Sequence, residues 1–225
     1  MQTPRGQHMK KNAKVDYAVH DLIERRWSPR AFTDRPVDRK LLGSLFEAAR
    51  WSASCHDEQP WRFILATREE VEAHARLSEC LVEANRAWAK HAPVLVLSAV
   101  KRTFTHNGNP NRYAWYDLGA ATAQLTLQAM SFGLYVHPMA GILPDKIHDT
   151  YSIPDDFEPV TILAIGYLGA SDTLSDSLRK QETGSRARNP LVQFVFANDW
   201  GSPVNFSERK DTGEASPRTE KIQHR

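Results

Sequence analysis

The sequence predicts an α+β fold: one domain, with a small sheet of buried strands wrapped by helices. Three observations predict it. Segments with helical apolar spacing alternate with short continuous apolar runs, and runs such as Val94–Val100 and Val160–Leu168 have the character of strands buried on both faces. At 225 residues with 41% hydrophobic content, the chain is ample for a sizeable core. Aromatics at 9% and charged residues at 25% are ordinary globular values and exclude wholesale disorder. No internal repeat is present.

Residues 1–14 lack apolar periodicity and residues 203–225 are polar, so both ends read as flexible and residues 15–202 as the single domain. Val15, Ala18, Val19, Leu22 and Ile23 share a helical face. Asp38 is placed to cap a second helix striped by Leu41, Leu42, Leu45, Phe46 and Ala49. Arg62–Thr67 reads as a strand, roughly 70–90 as a third helix, and Val94–Val100 as a buried strand. Residues 101–112, with Asn-Gly-Asn-Pro, read as a loop. Tyr113–Phe132 is a long helix ended by Gly133; it is nearly free of charge after Asp117, so most of its surface is expected to be buried. A short strand at Leu134–His137, a helix at Pro144–Tyr151, a strand at Val160–Leu168 and an apolar segment at Leu191–Ala197 complete the reading.

The net charge of +2 divides unevenly: residues 1–14 carry +4, residues 203–225 carry +1, and the body between carries −3. A mildly acidic body argues against a nucleic-acid binder. The apolar runs fall far short of the roughly 20 residues that span a bilayer. Met1 is followed by no apolar stretch of the secretory kind. Two cysteines, Cys55 and Cys80, cannot build a disulfide framework, which points to a reducing compartment, most simply the cytoplasm.

Three clusters carry possible chemistry. Arg25-Arg26-Trp27-Ser28-Pro29-Arg30 offers guanidiniums and a hydroxyl suited to a phosphate dianion, or else a solvated helix end. Trp51 to Trp61 encloses a polar loop whose amides and side chains can read a ligand edge. Cys55 beside His56 is poor support for a nucleophilic pair, and His56, Asp57 and Glu58 lack metal-site spacing, so no metal is expected. Arg186 and Arg188 lie two apart and face one side if the chain is extended, again suiting a phosphate, or else form an exposed basic loop. There is no phosphate loop, nucleophile elbow or His-Glu-x-x-His.

Taken together, five segments in order resemble the nitroreductase family of flavin enzymes: Arg26-Trp-Ser28-Pro-Arg30-Ala-Phe32, Ala48 to Ser54 with Gln59-Pro60-Trp61-Arg62-Phe63, His137-Pro-Met-Ala-Gly141, Glu158 to Gly169, and Arg186-Ala-Arg188-Asn-Pro-Leu191. The resemblance covers about residues 15–200. It implies a mostly antiparallel sheet, an intertwined homodimer with FMN at the subunit interface, electrons from NADH or NADPH, ping-pong turnover, and small nitroaromatic, quinone or other conjugated acceptors. By position, Arg26, Trp27, Ser28 and Arg30 would surround the FMN phosphate and ribityl chain, and Arg186 and Arg188 would complete the phosphate site. Ser52, Ser54, Cys55 and Asp57 would lie along ribityl and ring, with Gln59 at the ring edge. Pro138, Met139, Ala140 and Gly141 would line the ring near its redox-active nitrogen. Phe104, His106, Tyr113 and Trp115 are candidate walls of the acceptor pocket, or else ordinary core and interface packing.

Two departures matter. Asp57 stands where the family commonly has Asn, so it accepts but cannot donate when ionised. It would either face the flavin pyrimidine and lower the reduction potential, or turn to an Arg or solvent. Ala140 stands where some members have an acid. The resemblance leaves no residue with a catalytic acid or base role, since a flavin performs hydride transfer itself. Flavin storage or sensing, and dehalogenation, enone reduction or flavin destruction on the same fold, stay open at this stage.

Overall fold

The computed structural model describes residues 11–206. These fall into two compact units, one ending at Arg186 and one beginning at Ala187. The expected flexible stretches at 1–10 and 207–225 lie outside the described residues.

The first unit is α+β, as the sequence predicts. Its elements are α1 (Asp21–Arg25), α2 (Arg39–Arg50), β1 (Trp61–Thr67), α3 (Val71–Ser78), α4 (Glu83–Ala89), β2 (Val94–Lys101), α5 (Ala114–Ser131), β3 (Leu134–Met139), α6 (Pro144–Tyr151), β4 (Phe157–Tyr167) and α7 (Asp176–Thr183). The four strands form one sheet in the order β1-β2-β4-β3, with each neighbouring pair antiparallel. β2 alternates between two cores. Val94, Val96 and Val100 join Leu42, Leu45, Leu118 and Leu125 beneath α2 and α5. Leu95 and Leu97 join Leu77, Trp88 and Ile147 beneath α3, α4 and α6. A strand covered on both faces has no use for polar alternation, which is why its sequence reads as one apolar run.

Several elements follow local signals. The Asp38 carboxylate accepts from the Lys40 N–H, closing the start of α2. Gly133 takes φ +72° after α5, a conformation glycine adopts without steric cost. Other expectations need correction. The helical face at 15–23 shrinks to Asp21–Arg25, because His20 accepts from the Leu22 N–H and caps the helix there, and Val15, Tyr17 and Val19 are exposed with no core beneath them. The single helix at 70–90 is two helices, interrupted where Leu81 bridges to Ile142. Within one protomer α5 is covered along one side: Leu118, Ala121, Leu125 and Ala129 pack inward, while Trp115, Tyr116, Gly119 and Ala123 are exposed. The sequence reading lacks α7 altogether, since Asp176–Thr183 carries one apolar residue and gives no stripe.

The second unit, described through Phe206, has a single 3-10 turn at Leu191–Gln193 and an antiparallel bridge between Phe196 and Pro203. Phe196 and Trp200 meet at 5.3 Å between ring centroids.

Candidate functional site

The predicted site residues of the first unit fall at three places. One surrounds the loop 26–31. Here Arg26 Nη1 lies 3.5 Å from the Ser28 hydroxyl. Trp27 is buried, edge-on to Tyr135 at 6.2 Å. The loop is held from two directions. The Glu182 carboxylate, on α7 and 1% exposed, accepts from the backbone N–H groups of Arg30 (3.0 Å) and Ala31 (3.2 Å). On the sheet side, His137 Nδ1 lies 2.8 Å from the Pro29 carbonyl, so it carries the proton and donates. The ring also lies 4.6 Å from Trp88. Burial pushes the His137 pKa down to about 4, against the carbonyls of Pro29 and Ser28, which favour the proton, and with help from Arg30, which opposes it. Residues 31–33 then pair with 167–169 beside β4, through Gly169 N–H to the Ala31 carbonyl and Thr33 N–H to the Tyr167 carbonyl, both 2.9 Å.

Arg186 comes to the same place. Its Nη1 donates to the backbone carbonyls of Lys11 (2.6 Å) and Glu24 (3.2 Å). Arg188 belongs to the second unit, where its guanidinium donates to the Ala187 carbonyl at 2.9 Å.

The second place is the loop 52–59. Ser52 is buried at the end of α2. The Ser54 hydroxyl accepts from Gln59 N–H at 3.1 Å, and Gln59 Nε2 donates to Asp57 Oδ1 at 3.0 Å. The exposed Asp57 carboxylate is thus turned to its own loop. His56, Asp57 and Gln59 all have φ near +50°, a region where non-glycine residues cost energy, so surrounding contacts must hold them. Two carboxylates do so. Asp117, buried in the first turn of α5, accepts from Cys55 N–H at 3.0 Å. Glu58 accepts from the Thr105 amide at 3.0 Å and from its hydroxyl, with Lys101 Nζ at 3.7 Å. Burial works to raise the Glu58 pKa, but the Thr105 donors and Lys101 outweigh it and leave the carboxyl below its ordinary range. Through this latch Phe104 and His106 meet His56, with ring centroids 5.7 and 5.8 Å away. Tyr113 and Trp115 are half-exposed at the start of α5, one helical turn or less from Asp117.

The predicted strip 138–141 lies at and beyond the end of β3. Pro138 and Ala140 are exposed, whereas the Met139 side chain is buried in the core, so only its backbone can line a ligand. Gly141 is closely packed: a Cβ there would come within 2.6 Å of Asn85 and 2.8 Å of Val82.

Sequence reasoning missed three anchors. Asp117 had a signal, as the one charge in an otherwise uncharged helix. Glu182 sits in a polar stretch and had none, and Glu58 looks in sequence like any loop acid. Asp117→Ala should cost about 2 kcal/mol by orphaning the Cys55 N–H, and Asp117→Asn, which keeps an acceptor, less. Thermal unfolding checks this, with a fall of roughly 4–8 °C expected for the alanine variant; equal melting of variant and wild type would reject the anchoring role.

The family model described as the nitroreductase family matches residues 23–167. An uncharacterized 15.4 kDa protein from the ask 5' region of Mycolicibacterium smegmatis is 39% identical over 93 residues, covering 41% of this chain and 63% of that protein, so the match spans under two thirds of that relative. A Stenotrophomonas maltophilia protein bearing the name NADH dehydrogenase/NAD(P)H nitroreductase is 26% identical over 169 residues, covering 67% of this chain and 85% of its own. A solved structure described as an oxidoreductase containing FMN superposes with a TM-score of 0.80 at 35% identity, over 85% of this chain and 98% of that one. A family model spanning more than half of the sequence and a solved relative matched over nearly its whole length agree: the chain belongs to the nitroreductase family.

Proposed function

We propose that the protein is an FMN-dependent oxidoreductase that takes hydride from NADPH or NADH and reduces nitroaromatic, quinone or other conjugated acceptors by a ping-pong mechanism. The observation that carries the reading is the loop 26–31. Arg26, Ser28 and Arg30 stand on a backbone fixed by Glu182 and His137, a donor set suited to a phosphate dianion. FMN, when bound, supplies the hydride chemistry. This chain's residues do the rest: Arg26, Ser28 and Arg30 hold the phosphate, with Arg186 assigned to the same group. Ser54, Cys55 and Gln59 orient the ribityl chain and ring edge. The Ala140 and Gly141 backbone lies near the reactive nitrogen, where Ala140 brings no acid. Phe104, His106 and His56, with Tyr113 and Trp115, wall the acceptor pocket and exclude water. The exposed Asp57 is bonded to Gln59 rather than to an Arg, which supports a reading in which it does not face the flavin.

The same reading includes a homodimer. His137 stands in register with Ala164, Leu95 and Ala66 across the sheet, while the loop 52–59 enters at Trp61, five residues further along the opposite edge. Three strand spacings and five residues of rise put those backbone positions about 20 Å apart. A second copy would bring its loop 52–59 to the first copy's loop 26–31, and the exposed Trp115–Ala123 face of α5 supplies surface for that contact. No helix among the described residues is long and apolar enough to cross a membrane, and a cytoplasmic setting fits the two unpaired cysteines.

The test is to purify the protein, identify any released yellow chromophore, and follow NADPH and NADH oxidation with and without a quinone. Bound FMN and acceptor-dependent oxidation are expected. A colourless protein that takes up no FMN would sink the reading, while FMN without turnover would reduce it to a binding module.

A further inference from the structure

We infer that the sheet face beside the end of α6 carries a binding site for a small aryl carboxylate, one or two aromatic rings bearing a single acid group. α6 ends at Tyr151, and Ser152 closes it in the left-handed conformation, at φ +49°. Between the segment 151–157 and the paired strand positions Arg62–Ala99 and Ile64–Leu97 lies a cavity of about 290 Å³. Its lining is apolar. Leu97 and Ala99 are buried, and Ile64, Tyr151, Ile153 and Phe157 are half-buried around the hollow. Water in such a space meets few partners, whereas a flat apolar ligand of about ten heavy atoms would fill it and cover those side chains. None of these residues is among those assigned above to FMN or to the acceptor.

Arg62 is the charged residue of the lining, and it is exposed. Its guanidinium lies 5.5 Å from the centroid of the Phe157 ring. Its Nη1 donates to the carbonyls of Gln59 (3.0 Å) and Trp61 (2.7 Å). These bonds use one nitrogen and hold the fork at the rim; Nε and Nη2 carry further N–H groups, on the edge that a carboxylate meets with both oxygens. Among the described residues no carboxylate forms an ion pair with Arg62. A ring against Tyr151 and Phe157, with its acid on Arg62, meets the apolar hollow and the cationic rim together. The plain alternative is a packing gap filled by water, with Arg62 serving only to tie down the start of β1.

The experiment compares two ligands of one shape, 2-naphthoate and the uncharged 2-acetylnaphthalene, by calorimetric titration of the protein as purified. The wild type should bind the acid roughly 3- to 10-fold more tightly, the modest gain expected of a guanidinium that solvent screens. Arg62→Met should bring the acid down to the affinity of the ketone, and Arg62→Lys should keep part of the preference. Ile153→Trp, which places an indole in the hollow, should weaken both ligands by about 10-fold or more. Equal affinity for the two ligands in the wild type overturns the inference. So does a wild type that takes up neither, as when a second copy covers this face. Binding that persists unchanged in both Arg62→Met and Ile153→Trp puts the probe elsewhere, the proposed acceptor pocket included, and overturns it as well. If Arg62→Met fails to fold, the two ligands on the wild type and the Ile153→Trp variant decide. The FMN reading has its own test in the released chromophore and stands or falls apart from these results.

Discussion

Gly169→Ala is expected to destabilise the protein by about 3 kcal/mol and to weaken FMN retention at the same time. A Cβ at Gly169 would come within 2.6 Å of the Phe32 carbonyl carbon, 2.7 Å of its oxygen and 3.0 Å of its nitrogen. These are main-chain atoms, so no rotamer change relieves the contact. Phe32 is held there by its bridge to Leu168 and by the hydrogen bonds of Gly169 and Thr33, so the added methyl must push the two segments apart. The segment that moves, residues 31–33, begins directly after Arg30. The effect therefore reaches the proposed phosphate cradle as well as the core, and a fall in melting temperature of roughly 6–12 °C should accompany loss of cofactor. Gly43→Ala is the control: it is helical, with nothing within 4 Å of its added Cβ, and should stabilise by roughly 0.5–1 kcal/mol. Unchanged melting of Gly169→Ala would show that residues 31–33 and 167–169 are not held this closely.

A loss of stability in mild acid is the second large expectation. The His137 pKa is about 4 in the folded protein against an ordinary 6.5. The unfolded chain therefore binds the extra proton first as pH falls, so stability is full above 6.5 and is lost progressively down to about 4. Across that window the depression amounts to about 3 kcal/mol. Protonation would set a half-buried cation beside Arg30, and its loss of solvation outweighs the hydrogen bonds that the Pro29 and Ser28 carbonyls offer it. His137→Gln can still donate to that carbonyl and does not titrate. Urea unfolding across the window should show a much shallower acid dependence in the variant, whatever its stability at neutral pH. Identical slopes would rule His137 out as the source.

The fold was legible where burial dictates sequence. β2 and β4 have apolar residues on both faces, and α2 carries both a cap and a stripe, so these elements could be read directly. The break between α3 and α4 could not, because it depends on Leu81 meeting Ile142 some sixty residues away. The helix expected at 15–23 failed for the opposite reason, apolar spacing with nothing to cover it. At the candidate site, the groups proposed to touch a ligand are arginines, serines and aromatic rings in recognisable order. The carboxylates that hold them, Glu182, Asp117 and Glu58, make their bonds across 152, 62 and 47 residues of chain. Nothing local in a sequence marks such partners.

The strand order has a consequence for how the chain is made. Val94 pairs with Ile165 and Lys101 with Phe157, so the central ladder waits on residues synthesised some sixty to seventy positions later. At roughly 5–20 residues per second, translation needs about 3–14 s to deliver them. During that interval the apolar β2 has β1 on one edge and an open ladder of N–H and C=O groups on the other, with α5 not yet complete to cover its face. The nascent chain thus offers a sticky edge for seconds, long enough for holding chaperones to engage and for crowded copies to pair wrongly when synthesis is fast.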